Sequence, residues 1–241
     1  SVRHGRTTYS NIKKSVHFFL STNFTEIMLM AASMGGGLGA PLTAMQLLWI
    51  NIISDIFPGL ALSLEPPEAD VLEQPPRPAG EPIFSSGDYG RMIRESSVMT
   101  GAAMGAYGYG LLRYGMNGPA SAIAFHSLTL GQLMHAFSCR TDSRTVFGSP
   151  NGAKNKWLNR AVYGSIALHL GTMFIPGLRG FLGLARLSAG DTAVVFGSAL
   201  LSFFGNEAIK GITPALSPAR IARARLERIQ SSDAAAETAA A

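Results

Sequence analysis

The amino-acid sequence predicts an all-α fold, a polytopic membrane bundle of six transmembrane helices. Hydrophobic residues make up 47% of the chain and charged residues 15%, whereas soluble domains are about 25% charged. Apolar segments recur at about 20 residues, the length that crosses a bilayer core. Lys and Arg concentrate in alternate connections between these segments. The chain begins with neither a signal-peptide pattern nor an initiator methionine, so we expect it to be part of a longer protein.

The predicted elements follow one another in a simple order. A basic stalk at 1–15 leads into a transmembrane domain at 16–210, and a basic, Ala-rich tail at 211–241 ends the chain. The spans within the domain are predicted near 16–37, 42–62, 95–115, 120–139, 157–176 and 191–210. In the third span, Gly101, Gly105 and Gly108 have the spacing that allows close helix packing.

The distribution of basic residues predicts the orientation in the membrane. Only Arg113, Arg179 and Arg186 fall on the side opposite to the termini. Positive charge is enriched on the cytoplasmic side of membrane proteins, so both termini are expected in the cytoplasm. The same pattern accounts for the net charge of +5 without a nucleic-acid partner. The lipid bilayer, as an inner (plasma) membrane of bacterial type, is the expected surrounding.

The second span carries Asn51, Ser54 and Asp55 within an apolar run. A carboxylate inside a membrane segment is costly, which makes it a functional-site hypothesis. The three residues have the spacing i, i+3, i+4 and would share one face of an α-helix. Pro58 cannot donate a backbone hydrogen bond to the carbonyl of Ser54, and Gly59 follows it. We therefore predict a kinked or unwound second span near Asp55.

The first span adds Asn23 and Glu26, three residues apart and so on one helix face. Together with the second span they offer up to about seven oxygen ligands, and Ca²⁺ takes 6–8. Oxygen-only ligation favours Ca²⁺, then Mn²⁺ or Mg²⁺, then Na⁺ or K⁺ as the transported cation. Gln132, in the middle of the fourth span, is either a further ligand or an interhelical hydrogen-bonding residue.

Structural roles are the alternative interpretation of these polar residues. Pairing of Glu26 and Asp55 with basic side chains is disfavoured, because no Lys or Arg falls at matching depth in any span. Packing histidines with hydrogen bonds are expected at His17, His126, His135 and His169. The single cysteine, Cys139, is expected to be a small packing residue at a helix end.

Several consecutive motifs resemble those of one protein family. They are a basic stalk at Gly5–Lys14, the segment Phe18–Glu26, a Gln-Leu-Leu-Trp-x-Asn-x-x-Ser-Asp core within Pro41–Ala61, the loop Glu65–Arg77 and Glu81–Phe84. In this order they resemble the C-terminal membrane half, helices five to ten, of a P-type cation-transporting ATPase of the calcium/sodium-pump (P2) class. The remaining spans, to about residue 210, are similar in number and loop pattern.

The resemblance implies ATP-driven ion translocation by alternating access. Asn23, Glu26, Asn51, Ser54 and Asp55 match the cation ligands of the family, and Gln132 falls where some members have an acidic ligand on the eighth helix. The loop at 75–77 resembles the one that couples the membrane helices to the phosphorylation domain. Gly101 and Gly105 lie where the seventh helix packs on the fifth. The sequence departs from the family pattern at two positions. Ile56 stands where many relatives have glycine. Gln132 carries an amide in place of an acid, which suggests that fewer ions, as few as one, are bound per cycle.

The catalytic motifs of the family are not found in this sequence. Neither the Asp-Lys-Thr-Gly phosphorylation motif nor the Gly-Asp-Gly-x-Asn-Asp hinge is present. The resemblance thus implies actuator, phosphorylation and nucleotide-binding domains as partners, with Mg-ATP acting only through them, and no catalytic residue in this chain. The alternatives are a non-enzymatic membrane module (a passive cation pathway, a partner subunit or a truncated pump remnant) and a cation/proton exchanger. The pump-like loop at 65–84 argues against the exchanger.

Overall fold

The computed structural model describes residues 2–67, 82–141, 146 and 155–212, and the regular structure in this part of the chain is helical throughout. This confirms the predicted all-α class. The helices are α1 (Val2–Gly35), α2 (Ala44–Trp49), a π-helical segment (Ile50–Ile56), α3 (Phe57–Leu62), α4 (Ser86–Tyr114), α5 (Gly118–Ser138), α6 (Lys156–Phe174), α7 (Pro176–Phe181) and α8 (Ala189–Ile212).

Helices occupy each of the six segments predicted to span a membrane, and the short helix α7 is an addition that was not predicted. Within the described ranges, two helical stretches are long and apolar enough to cross a membrane, Ala44–Leu62 and Ala189–Lys210. The arrangement of six spans therefore stays a prediction. The loop at 68–81, with its predicted coupling segment at 75–77, and the tail beyond 212 lie outside the described residues.

Helix α5 forms the centre of the bundle. Ile123, Phe125 and Leu133 along it are fully buried, and it packs against α4, α8 and α6. The outward faces of its neighbours instead carry large exposed apolar side chains, such as Leu112 and Phe174. An apolar outer surface around a helix carrying buried polar groups is the distribution that a lipid environment favours.

Hydroxyl groups join α4 to α1. Ser96 Oγ donates to the carbonyl of Ser21 at 2.8 Å, and one turn later Thr100 Oγ1 donates to the carbonyl of Thr25 at 3.3 Å. These bonds fix the position of residues 21–25 of α1 along the axis of α4.

Gly101, Gly105 and Gly108 of α4 were predicted to allow close packing of a neighbouring helix, and this prediction is wrong. A Cβ atom added at any of the three would meet no heavy atom within 4 Å. The close approach of α4 occurs later, at Gly110, where a Cβ atom would lie 2.8 Å from the Cα of Ala120 in α5. The three glycines lie on faces of α4 that α1 and α5 leave open, and spacing in the sequence does not reveal which face a neighbour covers.

Helix α4 begins with a capping box. The hydroxyl of Ser85 accepts from the backbone N–H of Asp88, whose carboxylate accepts from the N–H of Ser85. Lys13 of α1 pairs with the same carboxylate at 3.0 Å. Burial opposes ionisation of Asp88, but the hydrogen bonds from Ser85 and Lys13 outweigh it and hold the pKa of Asp88 below its ordinary value.

The second predicted span is continuous but contains a π-helix at Ile50–Ile56. A π-helix hydrogen-bonds from residue i+5 to residue i and is wider than an α-helix, not unwound. Pro58 lies five residues after Ile53 and has no N–H with which to close that bond. The hydroxyl of Ser165 in α6 donates to the Ile53 carbonyl instead, at 2.8 Å. The backbone irregularity thus falls where Pro58 predicts it, whereas the predicted kink or unwound turn is not confirmed.

Candidate cation site

The first and second predicted spans meet at Thr22 and Asp55. Thr22 Oγ1 donates to Asp55 Oδ2 at 3.1 Å, and both residues are buried. Thr22 lies four residues before Glu26, on the same face of α1, so the two residues present their side chains to the same region. The carboxyl groups of Glu26 and Asp55 are close enough to interact electrostatically.

Helix α5 contributes Gln132 to the same region. Its Nε2 donates to Glu26 Oε1 and to the backbone carbonyl of Thr22, each at 3.2 Å. The side chain is fully buried. Gln132 thus makes the interhelical hydrogen bonds that were predicted as one of its two roles. It also lies close enough to Glu26 to serve in the other predicted role, as a cation ligand.

Three buried oxygen atoms of the predicted ligands have no hydrogen-bond partner among the described residues: Asp55 Oδ1, Ser54 Oγ and Gln132 Oε1. Leaving a buried polar atom unsatisfied costs about 1–3 kcal/mol. Such atoms at a convergence of two carboxyl groups mark a place where a cation would supply the missing interactions. The chemistry of the set, carboxylate, hydroxyl and amide oxygens, is that of a site for a hard cation.

Asn23 and Asn51 differ from the other predicted ligands. The amide of Asn23 is exposed and donates to the carbonyl of Phe19 at 2.7 Å, and the amide of Asn51 donates to the carbonyl of Leu47 at 2.9 Å. Each is therefore folded back on its own helix. Asn51 was predicted to share a helix face with Ser54, three residues later. Both residues lie in the π-helical segment, where the turn closes one residue later than in an α-helix, so this alignment is lost.

Neither carboxyl group of the site takes part in an ion pair in the described ranges, as predicted from the depth of Lys and Arg. Thr22 was not predicted to belong to the site. Its position one helical turn before Glu26 is the only feature of the sequence that could have indicated it. Of the six predicted ligands, Glu26, Asp55 and Gln132 lie close together. Ser54 is buried next to Asp55 in the chain, and the amides of Asn23 and Asn51 bond to their own helices.

The four histidines expected to be packing residues are buried and hydrogen-bonded. His17 Nε2 lies 2.6 Å from Glu95 Oε2, and His126 Nδ1 lies 2.9 Å from His169 Nε2. His135 Nε2 contacts Cys139 Sγ at 3.3 Å. Cys139 is buried at the C-cap of α5, as predicted.

Most of the chain is similar to one protein family and to named relatives. Residues 39–212 match the family described as "Cation transporting ATPase, C-terminus". The chain is 32% identical over 208 residues to "Calcium-transporting ATPase" of Bacillus subtilis, an alignment that covers 85% of this chain and 23% of that protein. It is 31% identical over 221 residues to "Calcium-transporting ATPase type 2C member 2" of Mus musculus, covering 91% and 23%. The chain therefore spans about a quarter of the length of these relatives.

Proposed function

The chain belongs to the family of P-type cation-transporting ATPases, as a C-terminal membrane region, and on this premise we propose that it holds the ion ligands of an ATP-driven Ca²⁺ pump. The relatives described above are calcium-transporting ATPases by name. The oxygen-only ligand set favours the same ion on independent chemical grounds.

The observation that carries this proposal is a pair of buried carboxyl groups that have no basic partner in the part of the chain that the structure describes. Glu26 is 7% exposed and Asp55 is 3% exposed. Two ionised carboxylates in such a setting repel one another and are poorly solvated, so a divalent cation between them relieves both costs. Thr22 orients Asp55 and Gln132 orients Glu26, which supports a ligand geometry that exists before the ion enters.

In the proposed arrangement the helical segments form six membrane spans with both termini on the cytoplasmic side of a bacterial-type inner membrane. The π-helical segment is the proposed flexible part of the second span, since it carries Asp55 and lacks the backbone bond that Pro58 cannot donate. Alternating access would then move Asp55 relative to Glu26. Phosphorylation by Mg-ATP would come from actuator, phosphorylation and nucleotide-binding domains, as in a complete pump.

Asp55→Asn tests the proposal, in a full-length pump that carries this chain as its C-terminal region. Removing one of two ligand charges is expected to raise the free Ca²⁺ concentration needed for half-maximal phosphorylation from ATP by about 100-fold or more. The measurement is phosphoenzyme formed in membranes as a function of free Ca²⁺. Asp88→Asn is the matched control, because it makes the same chemical change at the start of α4, outside the site, and should retain the wild-type dependence.

Wild-type Ca²⁺ dependence in Asp55→Asn would overturn the assignment of the ligand. Phosphorylation of the unmutated pump that depends on another cation and does not depend on Ca²⁺ would overturn the choice of ion. Absence of any cation-dependent phosphorylation in the unmutated pump would favour the non-enzymatic membrane module instead.

A further inference from the structure

A second group of potential metal ligands lies apart from the candidate cation site. His17 of α1, Glu95 of α4, and His135 and Cys139 of α5 are all buried. The ligand atoms of His17, His135 and Cys139 lie within 4.8 Å of one another. His17 precedes Glu26 by nine residues, which is about 13 Å along a helix. The ligand types also differ, because nitrogen and sulfur donors suit borderline transition metals.

Two of these residues have the spacing of a helical chelate. His135 and Cys139 are four residues apart at the C-terminal end of α5, so their side chains leave the same face. Their Nε2 and Sγ atoms are 3.3 Å apart. The separation of ligand atoms around a tetrahedral Zn²⁺ ion is about 3.3–3.6 Å, given bonds of 2.0–2.3 Å.

Glu95 completes the set from α4. Its Oε2 lies 2.6 Å from His17 Nε2 and 3.6 Å from His135 Nε2. Only the first distance is shorter than tetrahedral ligation requires, by about 0.7 Å. Arg91 Nε donates to the other oxygen, Oε1, at 2.8 Å, which turns Oε2 toward the histidines. Such outer contacts orient the ligands of metal sites.

The basic residues around this cluster have acidic partners, which reduces the charge that a cation would meet. Arg91 pairs with Glu95, and Lys210 of α8 pairs with Glu207 at 3.7 Å.

We propose that His17, Glu95, His135 and Cys139 form a tetrahedral site for a divalent transition-metal ion of the Zn²⁺ class. Binding displaces the thiol proton of Cys139 to solvent, and the neutral imidazole of His17 ligates through Nε2 as the tautomer that carries its proton on Nδ1. The ion replaces the hydrogen bond between His17 and Glu95 with ligand bonds that join α1, α4 and α5. The proposal is independent of the cation that the chain transports.

Co²⁺ is the probe, because its spectrum reports both thiolate ligation and tetrahedral geometry. The chain contains one cysteine, so a thiolate-to-cobalt charge-transfer band can arise only from Cys139. The purified full chain in detergent is expected to bind one Co²⁺ with this band and with intense visible bands. Zn²⁺ should abolish the bands by displacement, and a large excess of Ca²⁺ should not. Cys139→Ser should lose the charge-transfer band and weaken Co²⁺ binding at least tenfold.

His126→Asn is the matched control, because His126 is a buried histidine on the same helix whose ring partner is His169. It should retain the cobalt spectrum, as should Asp55→Asn, which separates this test from that of the transport site. If Cys139→Ser fails to fold, alkylation of Cys139 in the unmutated chain replaces it, and Zn²⁺ should slow the alkylation at least tenfold. Absence of the charge-transfer band in the unmutated chain, or of zinc protection, would overturn the proposal.

Discussion

At the scale of single residues, the site depends on side chains that compensate for the backbone. Pro58 removes the donor that would close the π turn at Ile53, and the hydroxyl of Ser165 takes its place. Ser165 is buried, so no solvent molecule competes easily for that carbonyl. The position of Asp55, two residues later, is therefore fixed partly from α6.

Ser165→Ala should destabilise the chain by about 1–3 kcal/mol, because it leaves the buried carbonyl of Ile53 without a donor. Thermal unfolding in detergent measures this, with backbone hydrogen exchange across 50–58 as a local readout. Ser97→Ala is the control, since the exposed Ser97 bonds to a carbonyl within its own helix and its loss should change stability by less than about 0.5 kcal/mol. Equal effects of the two changes would contradict the assigned role of Ser165.

The candidate cation site shows how far residue-level prediction extends. Glu26, Ser54, Asp55 and Gln132 were predicted, and the structure buries all four. Thr22 was missed because a threonine in an apolar segment is common and its bond to Asp55 depends on how α1 and the π-helical segment meet. Asn23 and Asn51 were grouped with the others by α-helical spacing, yet their amides bond to their own helices.

At the scale of secondary-structure elements, close packing is decided by faces rather than by motifs. Helices α4 and α5 are joined by a short turn and approach closely at Gly110, where the Cα of Ala120 leaves no room for a side chain. Gly101 lies on the same helix but faces open space. The small-residue spacing was visible in the sequence, whereas the face that α5 covers was not.

Gly110→Ala should lower the free energy of unfolding by about 1–3 kcal/mol, because the new methyl group meets backbone that cannot move independently. Gly101→Ala is the matched substitution on the same helix and should be neutral or stabilising by up to about 1 kcal/mol, through better helix propensity. Unfolding midpoints of the two variants in one detergent give the comparison. A larger loss for Gly101→Ala would contradict the packing described for α4.

At the scale of the whole molecule, one buried residue joins four parts of the chain. Glu65 follows α3, and its Oε1 accepts from Arg140 at 2.8 and 3.0 Å, while its Oε2 accepts from Asn155 at 2.7 Å. Asn11 of α1 donates to its backbone carbonyl at 2.7 Å. The ends of α3 and α5 and the beginning of α6 are thereby held against α1.

Glu65→Ala should destabilise the bundle by about 3 kcal/mol, because it removes the buried carboxylate to which Asn155 and Arg140 both donate. Limited proteolysis should show faster cleavage near 63–67 and 140–155, at the ends of the helices that Glu65 joins. Glu65→Gln should lose less, since an amide oxygen still accepts one hydrogen bond. Unchanged cleavage in Glu65→Ala would show that the helix ends are held by other contacts.

The overall organisation was predictable because hydrophobic segment length and turn composition mark each helix locally. The class and the approximate position of the six long helical stretches follow from these signals, as α1 and α8 illustrate. Glu95 and Glu207 were not predicted as buried, because each has a partner far away in the sequence: His17 lies 78 residues from Glu95, and Ser138 lies 69 residues from Glu207. Long-range partners of this kind are set by tertiary packing, which a single sequence does not display.

The π-helical segment fixes the rotational register of the chain that follows it. A π-helix takes more residues per turn than an α-helix, so the seven residues Ile50–Ile56 turn the chain through about the angle that six residues of α-helix would. Loss of one residue there should therefore restore α-helical winding and keep Gly59, whose carbonyl accepts from Ser15 of α1 at 2.9 Å, facing its donor. A one-residue deletion after Ile56 has no such compensation and should rotate the rest of α3 by roughly 100°. Chain length is therefore adjustable within the π-helical segment and constrained in the turn that follows it.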